Sequence, residues 1–164
     1  DRHDLHRIEQ VFPFPVSGGM VSRMGYRFQV VVDSAEPHAL AAWWAQTLGW
    51  QLEPSNEDFI REMVAVGRAR EEDTTTFEGV LVWRAGAAIV DPESPGTPRV
   101  LFQSVPEPKS VKNRLHLDIR VGEERESVVA SLEERGASVL HRGNQGASIW
   151  ITMIDPEGNE FCVG

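Results

Sequence analysis

The stretch "NRLHLDIRVGE", residues 113–123, alternates strictly. Leu115, Leu117, Ile119 and Val121 are apolar, and His116, Asp118 and Arg120 stand between them. A period of two marks a strand with one face against a core, so a strand is predicted over Arg114–Val121. A histidine, an acid and a base in a row put the second face either in water or along a polar cavity. A helix is predicted next, over Glu123–Arg135, with Val128, Val129 and Leu132 inward and Gly136 as its cap. Strands are predicted near Ala137–His141, Ala147–Ile154 and Glu160–Val163. "HRGNQGAS" (141–148) reads as a hairpin loop, and "DPEGN" (155–159) as the turn before the last strand.

The first half of the chain follows the same plan. In "YRFQVVVD" (26–33), Phe28, Val30 and Val32 alternate with Gln29, Val31 and Asp33, again the period of a half-buried strand. Pro37 suits the first position of a helix, Leu40, Trp43, Trp44 and Leu48 form its buried stripe, and Gly49 ends it. A short strand, Trp50–Glu53, and a small helix over 56–67 follow, the helix carrying Ile60, Met63 and Val64 on one face. Further strands are predicted around Gly79–Arg84 and Arg99–Val105, with turns at Asp91-Pro92 and Pro95-Gly96 between them. From Gln29 to the cap Gly49 is 20 residues (49 − 29), and from His116 to the cap Gly136 is also 20 (136 − 116). Gln29 therefore overlays His116, and each half reads β-α-β-β-β. A repeat of this size means two modules burying a shared core; two unrelated halves that agree in spacing are the alternative.

Composition narrows the class. The 164 residues suffice for one domain with a substantial core, and 41% hydrophobic with 25% charged residues is ordinary for a globular protein. The formal net charge is −9 and no basic patch is visible, which argues against nucleic acid as a partner. No apolar run approaches the roughly 20 residues that cross a bilayer. Cys162 is the single cysteine, so no intrachain disulfide can form; a cytoplasmic location is expected. No dinucleotide-binding glycine motif, Walker loop or GxSxG elbow is present. Residues 1–24, with "VFPFPVSGG" near their end, are expected to be a leader or arm, either added to the natural chain or part of it.

The order and spacing of "LAAWWAQTLGW" (40–50), "VLFQSVPEPKSVKNRLHLDIRV" (100–121), "LEERGAS" (132–138) and "DPEGNEFCV" (155–163) resemble the vicinal oxygen chelate superfamily, in its glyoxalase-like branch. That group includes glyoxalase I, extradiol dioxygenases and antibiotic-sequestering resistance proteins. The resemblance implies an α+β fold in which paired βαβββ modules form a cupped mixed sheet around a central cavity, with helices outside. Residues 25–164 would be one such domain, with module one over 25–106 and module two over 112–164. Leu115, Leu117, Ile119 and Val121 would then face the helices, and His116, Asp118 and Arg120 the cavity.

Metal-dependent members of the superfamily place four ligands in the cup, one early in the first strand and one in the last strand of each module. Carried over, these positions fall on Gln29, Gln103, His116 and Cys162, with Glu160 as a substitute two residues before Cys162. Two neutral amides and a thiol make a weak donor set for a divalent metal, and only His116 is a usual ligand. No cofactor is therefore expected, although a divalent metal is possible through His116, Gln29, Gln103 and Glu160 or Cys162. Gln29 and Gln103 have an alternative use, closing the cup by bonding to each other. His116 has one too, as a cavity histidine bonded to Asp118 or Gln103.

Two functions follow from the resemblance. The first is metal-free binding of a small organic molecule, with Trp83 and Trp150 as stacking surfaces and Gln29, Gln103, His116, Asp118 and Cys162 as polar contacts. The second is an enzyme, a metal-dependent lyase, isomerase or dioxygenase, or a metal-free one with His116 as base and Glu160 as its partner. Glyoxalase I activity itself is not expected, because no basic cluster matches a site for glutathione's carboxylates. A homodimer is the further possibility.

Overall fold

A computed structural model describes residues 28–164 of the chain. The expected leader and the first two residues of the stretch 26–33 lie outside the described residues. Strand β1 is Val30–Ser34. Its Val30 and Val32 pack on the core, while Val31 on the other face is 46% exposed. Helix α1, Pro37–Leu48, has proline where no backbone N–H is needed and ends at Gly49, whose φ of 68° is the left-handed conformation of a helix cap. Strand β2 is Gln51–Leu52. Helix α2, Glu57–Ala65, is opened by the Asn56 side chain, which accepts the Phe59 N–H at 3.0 Å.

Strands β3, Thr74–Phe77, and β4, Val80–Trp83, form a hairpin over Glu78–Gly79, both with positive φ as a tight hairpin turn requires. Strands β5, Gly86–Val90, and β6, Val100–Ser104, complete module one. The sheet runs β1-β6-β5-β2, with β1 parallel to β6.

Module two contains β7 (Asp118–Ile119), α3 (Arg125–Glu134), β8 (Ser138–Gln145), β9 (Ser148–Ile154) and β10 (Glu160–Val163). Its sheet order is β7-β10-β9-β8, with β7 parallel to β10. Each sheet thus runs first, last, third, second, with a parallel pair at one edge. The repeat read from the spacing is present in the hydrogen bonding. The two sheets remain separate and do not close into a barrel. The modules differ in one place. Module two joins β8 to β9 through a tight turn at Gly146, whereas residues 53–85 intervene between β2 and β5 and carry α2 and the β3–β4 hairpin.

Three expectations need correction. The strand expected over Arg114–Val121 is only Asp118–Ile119, and Leu115, expected against the helices, is 86% exposed. The cause is its neighbour. Cys162 pairs with Asp118, so Leu115 lies opposite the turn residue Asn159, beyond the start of β10 at Glu160. Second, most of "HRGNQGAS" is strand, with a bulge between Val139 and His141. Third, β3 and β5 were not foreseen: "TTTF" has little apolar signal, and "GAAIV" is mostly small residues.

The helix-side faces of both sheets share one core. Trp43, Trp44 and Phe161 meet edge to face, with centroids 5.2, 5.9 and 5.1 Å apart. The turn 155–159 fastens the modules together. Asp155, 4% exposed, accepts the N–H of Trp44 Nε1 at 3.1 Å and the backbone N–H groups of Glu157 and Asn159 at 3.0 and 2.9 Å. Glu157 reaches the entrance of α1, accepting from Ser34 Oγ at 2.8 Å and from the N–H groups of Ala35 and Glu36 at 2.9 Å each. These donors precede a helix that has no side-chain cap of its own. Removing the Asp155 carboxylate would strand several buried donors at once. Asp155→Ala is expected to lower the unfolding free energy by about 3 kcal/mol, measured by urea denaturation; a loss below about 1 kcal/mol would show the turn to be dispensable.

Candidate functional site

The structure holds two sizeable cavities among the described residues. The larger, about 780 Å³, lies along the seam between β1 and the start of module two and is lined by both modules and by the connection 105–117. The smaller, about 550 Å³, lies in module one between its sheet and the inserted segment. Both fall within the size range of small-molecule sites.

The expected site residues divide between these places. His116 and Glu160 both line the larger cavity. Glu160 accepts the Asn113 N–H at 2.8 Å and faces Lys109 Nζ at 3.3 Å, which ties the connection to β10. The Asn113 bond, helped by Lys109 and opposed by burial, holds the Glu160 carboxyl below the usual carboxylate range. Trp83 lines the smaller cavity. Cys162, Trp150 and Asp118 sit on the module two sheet. Cys162 Sγ is 3.6 Å from Thr152 Oγ1, which in turn is 3.2 Å from His141 Nε2. The Trp150 ring lies on Gly143, where an added Cβ would stand 2.5 Å from the indole. Asp118 is exposed, and neither it nor Gln103 makes a side-chain hydrogen bond to His116.

Gln29 and Gln103 do not meet. Parallel pairing sets Gln103 beside Asp33 and carries the Val30 N–H to the Arg99 carbonyl, so Gln29 stands next to Arg99, four residues before Gln103. Arg99 Nε donates to Gln29 Oε1 at 2.7 Å, and Nη1 donates to Glu53 Oε2 at 2.6 Å. A guanidinium therefore occupies the amide oxygen that a metal would need. The donors do not fit a divalent ion: Gln29 is committed to Arg99, Gln103 is remote from it, and Glu160 is committed to Asn113 and Lys109. No cluster of three or more His, Cys, Asp or Glu side chains occurs among the described residues.

Arg99 and Glu53 were missed in the sequence. Arg99 precedes the apolar run of β6 and reads as a strand-edge charge; only the parallel register puts it beside Gln29. His38 was missed as well. Its ring stacks on Phe77 with centroids 5.4 Å apart, and its Nε2 lies 3.0 Å from the Trp83 carbonyl, which binds the hairpin to α1. Burial lowers the His38 pKa, partly offset by that carbonyl and by Glu36.

A family model described as "Glyoxalase-like domain" matches residues 29–164. The chain belongs to the glyoxalase-like domain family. It is thereby a member of the vicinal oxygen chelate superfamily, and solved structures of that fold agree with it. A fosfomycin resistance protein, FosX, from Listeria monocytogenes, solved with Mn(II) and 1S,2S-dihydroxypropylphosphonic acid, aligns with TM-score 0.55 at 10% identity, over 88% of this chain and 92% of that one. FosX from Mesorhizobium loti aligns with TM-score 0.54 at 5% identity, over 85% and 90%. A glyoxalase/bleomycin resistance protein/dioxygenase family enzyme from Burkholderia phytofirmans PsJN gives 0.53 at 15% identity, over 82% and 94%. At these identities the likeness is one of fold. No curated protein sequence matches the chain. No helix among the described residues is long and apolar enough to cross a membrane.

The Glu160 contacts give the glyoxalase-like domain a testable acid response. A carboxyl whose folded pKa is depressed stabilises the fold above its unfolded value, about 4.3, and loses that contribution as pH falls through the folded value. Between about pH 4.5 and 3, the thermal midpoint of the native chain is expected to fall more steeply than that of Glu160→Gln. Parallel curves would show that the Asn113 and Lys109 contacts are not formed in solution.

Proposed function

We propose that this chain is a glyoxalase-like protein that binds a small organic molecule in a cavity of a single domain, residues 25–164, without a catalytic metal. The observation that carries this reading is the Arg99 guanidinium, held between Gln29 and Glu53. A fixed guanidinium at that position supplies hydrogen-bond donors that need no loading. Cavity walls that combine apolar side chains with a few polar groups suit an organic ligand.

A second reading is a metal-dependent enzyme of the superfamily with a reduced ligand set. It is favoured by the Mn(II) in the Listeria relative and by His116 and Glu160 lining one cavity. In it, His116 acts as base or ligand and Glu160 as its acidic partner.

Plasma mass spectrometry separates the two. Tag-free protein, incubated with Mn(II), Ni(II), Zn(II) or Fe(II) and then desalted, is expected to retain well under one equivalent of metal, with no difference in His116→Ala. Near-stoichiometric metal that disappears in His116→Ala would overturn the metal-free reading. A thermal-shift screen of aromatic and antibiotic-like compounds is expected to yield stabilising ligands; a screen without any would overturn the binding reading.

A further inference from the structure

The smaller cavity is lined by a side chain that carries a polar atom without a partner among the described residues. The Arg99 side chain is 10% exposed and lines this cavity. Its Nε and Nη1 are used by Gln29 and Glu53, and its Nη2 is buried without an acceptor among the described residues. A buried N–H in that state is costly, and an acceptor brought by a ligand removes the cost. The walls around it are aromatic and aliphatic: Phe59, Phe77, Val80, Val82 and Trp83. Phe59 and Val80 remain 44% and 39% exposed, leaving apolar surface uncovered. Except for the sheet floor and His38, these walls come from the segment 53–85, which module two lacks.

The charges decide what the acceptor is. Glu53 already neutralises Arg99, with 2.6 Å between them, and Glu78 adds a second carboxylate to the lining. One fixed positive charge faces two negative ones, so the cavity offers no surplus for an anion. The other Glu53 carboxylate oxygen has no protein partner among the described residues and can accept an N–H from a ligand.

We propose that this cavity binds a flat, uncharged aromatic compound whose carbonyl oxygen accepts from Arg99 Nη2, its ring lying against Phe59, Phe77 and Trp83. An amide or lactam suits the site best, because its N–H can meet Glu53. This rests on the small-molecule reading above and names the ligand class and the place.

Three probes of one shape test it by isothermal titration with the full chain: 2-naphthamide, 2-naphthoate and 2-naphthamidine. The amide is expected to bind roughly tenfold or more tightly than either ion. Arg99→Gln is expected to weaken the amide by a similar factor. Phe59→Ala, at a partly exposed position whose loss leaves the fold intact, is expected to weaken it several-fold. Circular dichroism checks both variants for folding. Tightest binding by the carboxylate, or amide binding that ignores Phe59→Ala and is lost in Leu115→Glu at the larger cavity, would overturn the inference and leave the small-molecule reading standing. So would failure of all three probes while compounds from the thermal-shift screen bind. Failure of the probes and of the whole screen would remove both.

Discussion

The five residues 155–159 hold the two modules in their mutual orientation. Asp155 gathers the backbone of its own turn and the indole of Trp44, while Glu157 takes the donors that precede α1. One short turn therefore satisfies its own geometry, binds the segment that leads into a helix of the other module and positions the Trp43–Trp44–Phe161 cluster. Arg135 adds a second fastening at the far end of α1, with Nη2 donating to Thr47 Oγ1 at 2.8 Å and the guanidinium lying over the Trp43 ring at 5.1 Å. The Trp43 indole N–H returns to the Arg135 carbonyl at 2.9 Å. The larger cavity depends on this arrangement, since the seam exists only while the modules are held.

Local chemistry was legible in the sequence wherever a residue type dictates backbone geometry. Pro37 and Gly49 bounded α1, and the 20-residue interval repeated at His116 and Gly136 exposed the duplication. The turn at 155–159 was legible for the same reason, although its role between modules was not. Patterns that depend on a partner strand misled. Leu115 alternates faultlessly, yet β10 begins too late to pair with it. The candidate site suffered most from this. Gln103 is a polar residue on a buried strand and attracts notice, whereas Arg99 gains its meaning from the register of β1 against β6, which alternation does not encode.

The duplication explains the sheets and leaves the inserted segment unexplained; what that segment adds is a pocket. Gly86 stands where it meets the sheet, and a Cβ there would lie 2.3 Å from the Phe102 carbonyl oxygen. Strand β5 can therefore approach the β6 backbone this closely only because the residue there has no side chain. His38 and the Trp83 carbonyl then moor the hairpin to α1, so the pocket wall is tied to the same helix that the turn 155–159 orients. The two modules share a topology and divide the work unequally.

The parallel pair at the edge of each sheet has a mechanical consequence. Strands β1 and β7 are both outermost, and among the described residues no backbone hydrogen bond joins them. Along each strand the molecule is stiff, because extension would break a ladder. Across the seam the modules are joined through side chains instead: Asp155 on Trp44, Glu157 on residues 34–36, Arg135 against Trp43 and Thr47, and the aromatic cluster, with Lys109 against Glu160 tying down the connection. Of these only the Lys109–Glu160 pair joins opposite charges, and its side chains are mostly buried, so salt screens it weakly. The width of the larger cavity is thus set by side-chain contacts between modules, while the walls of the smaller one belong to a single module.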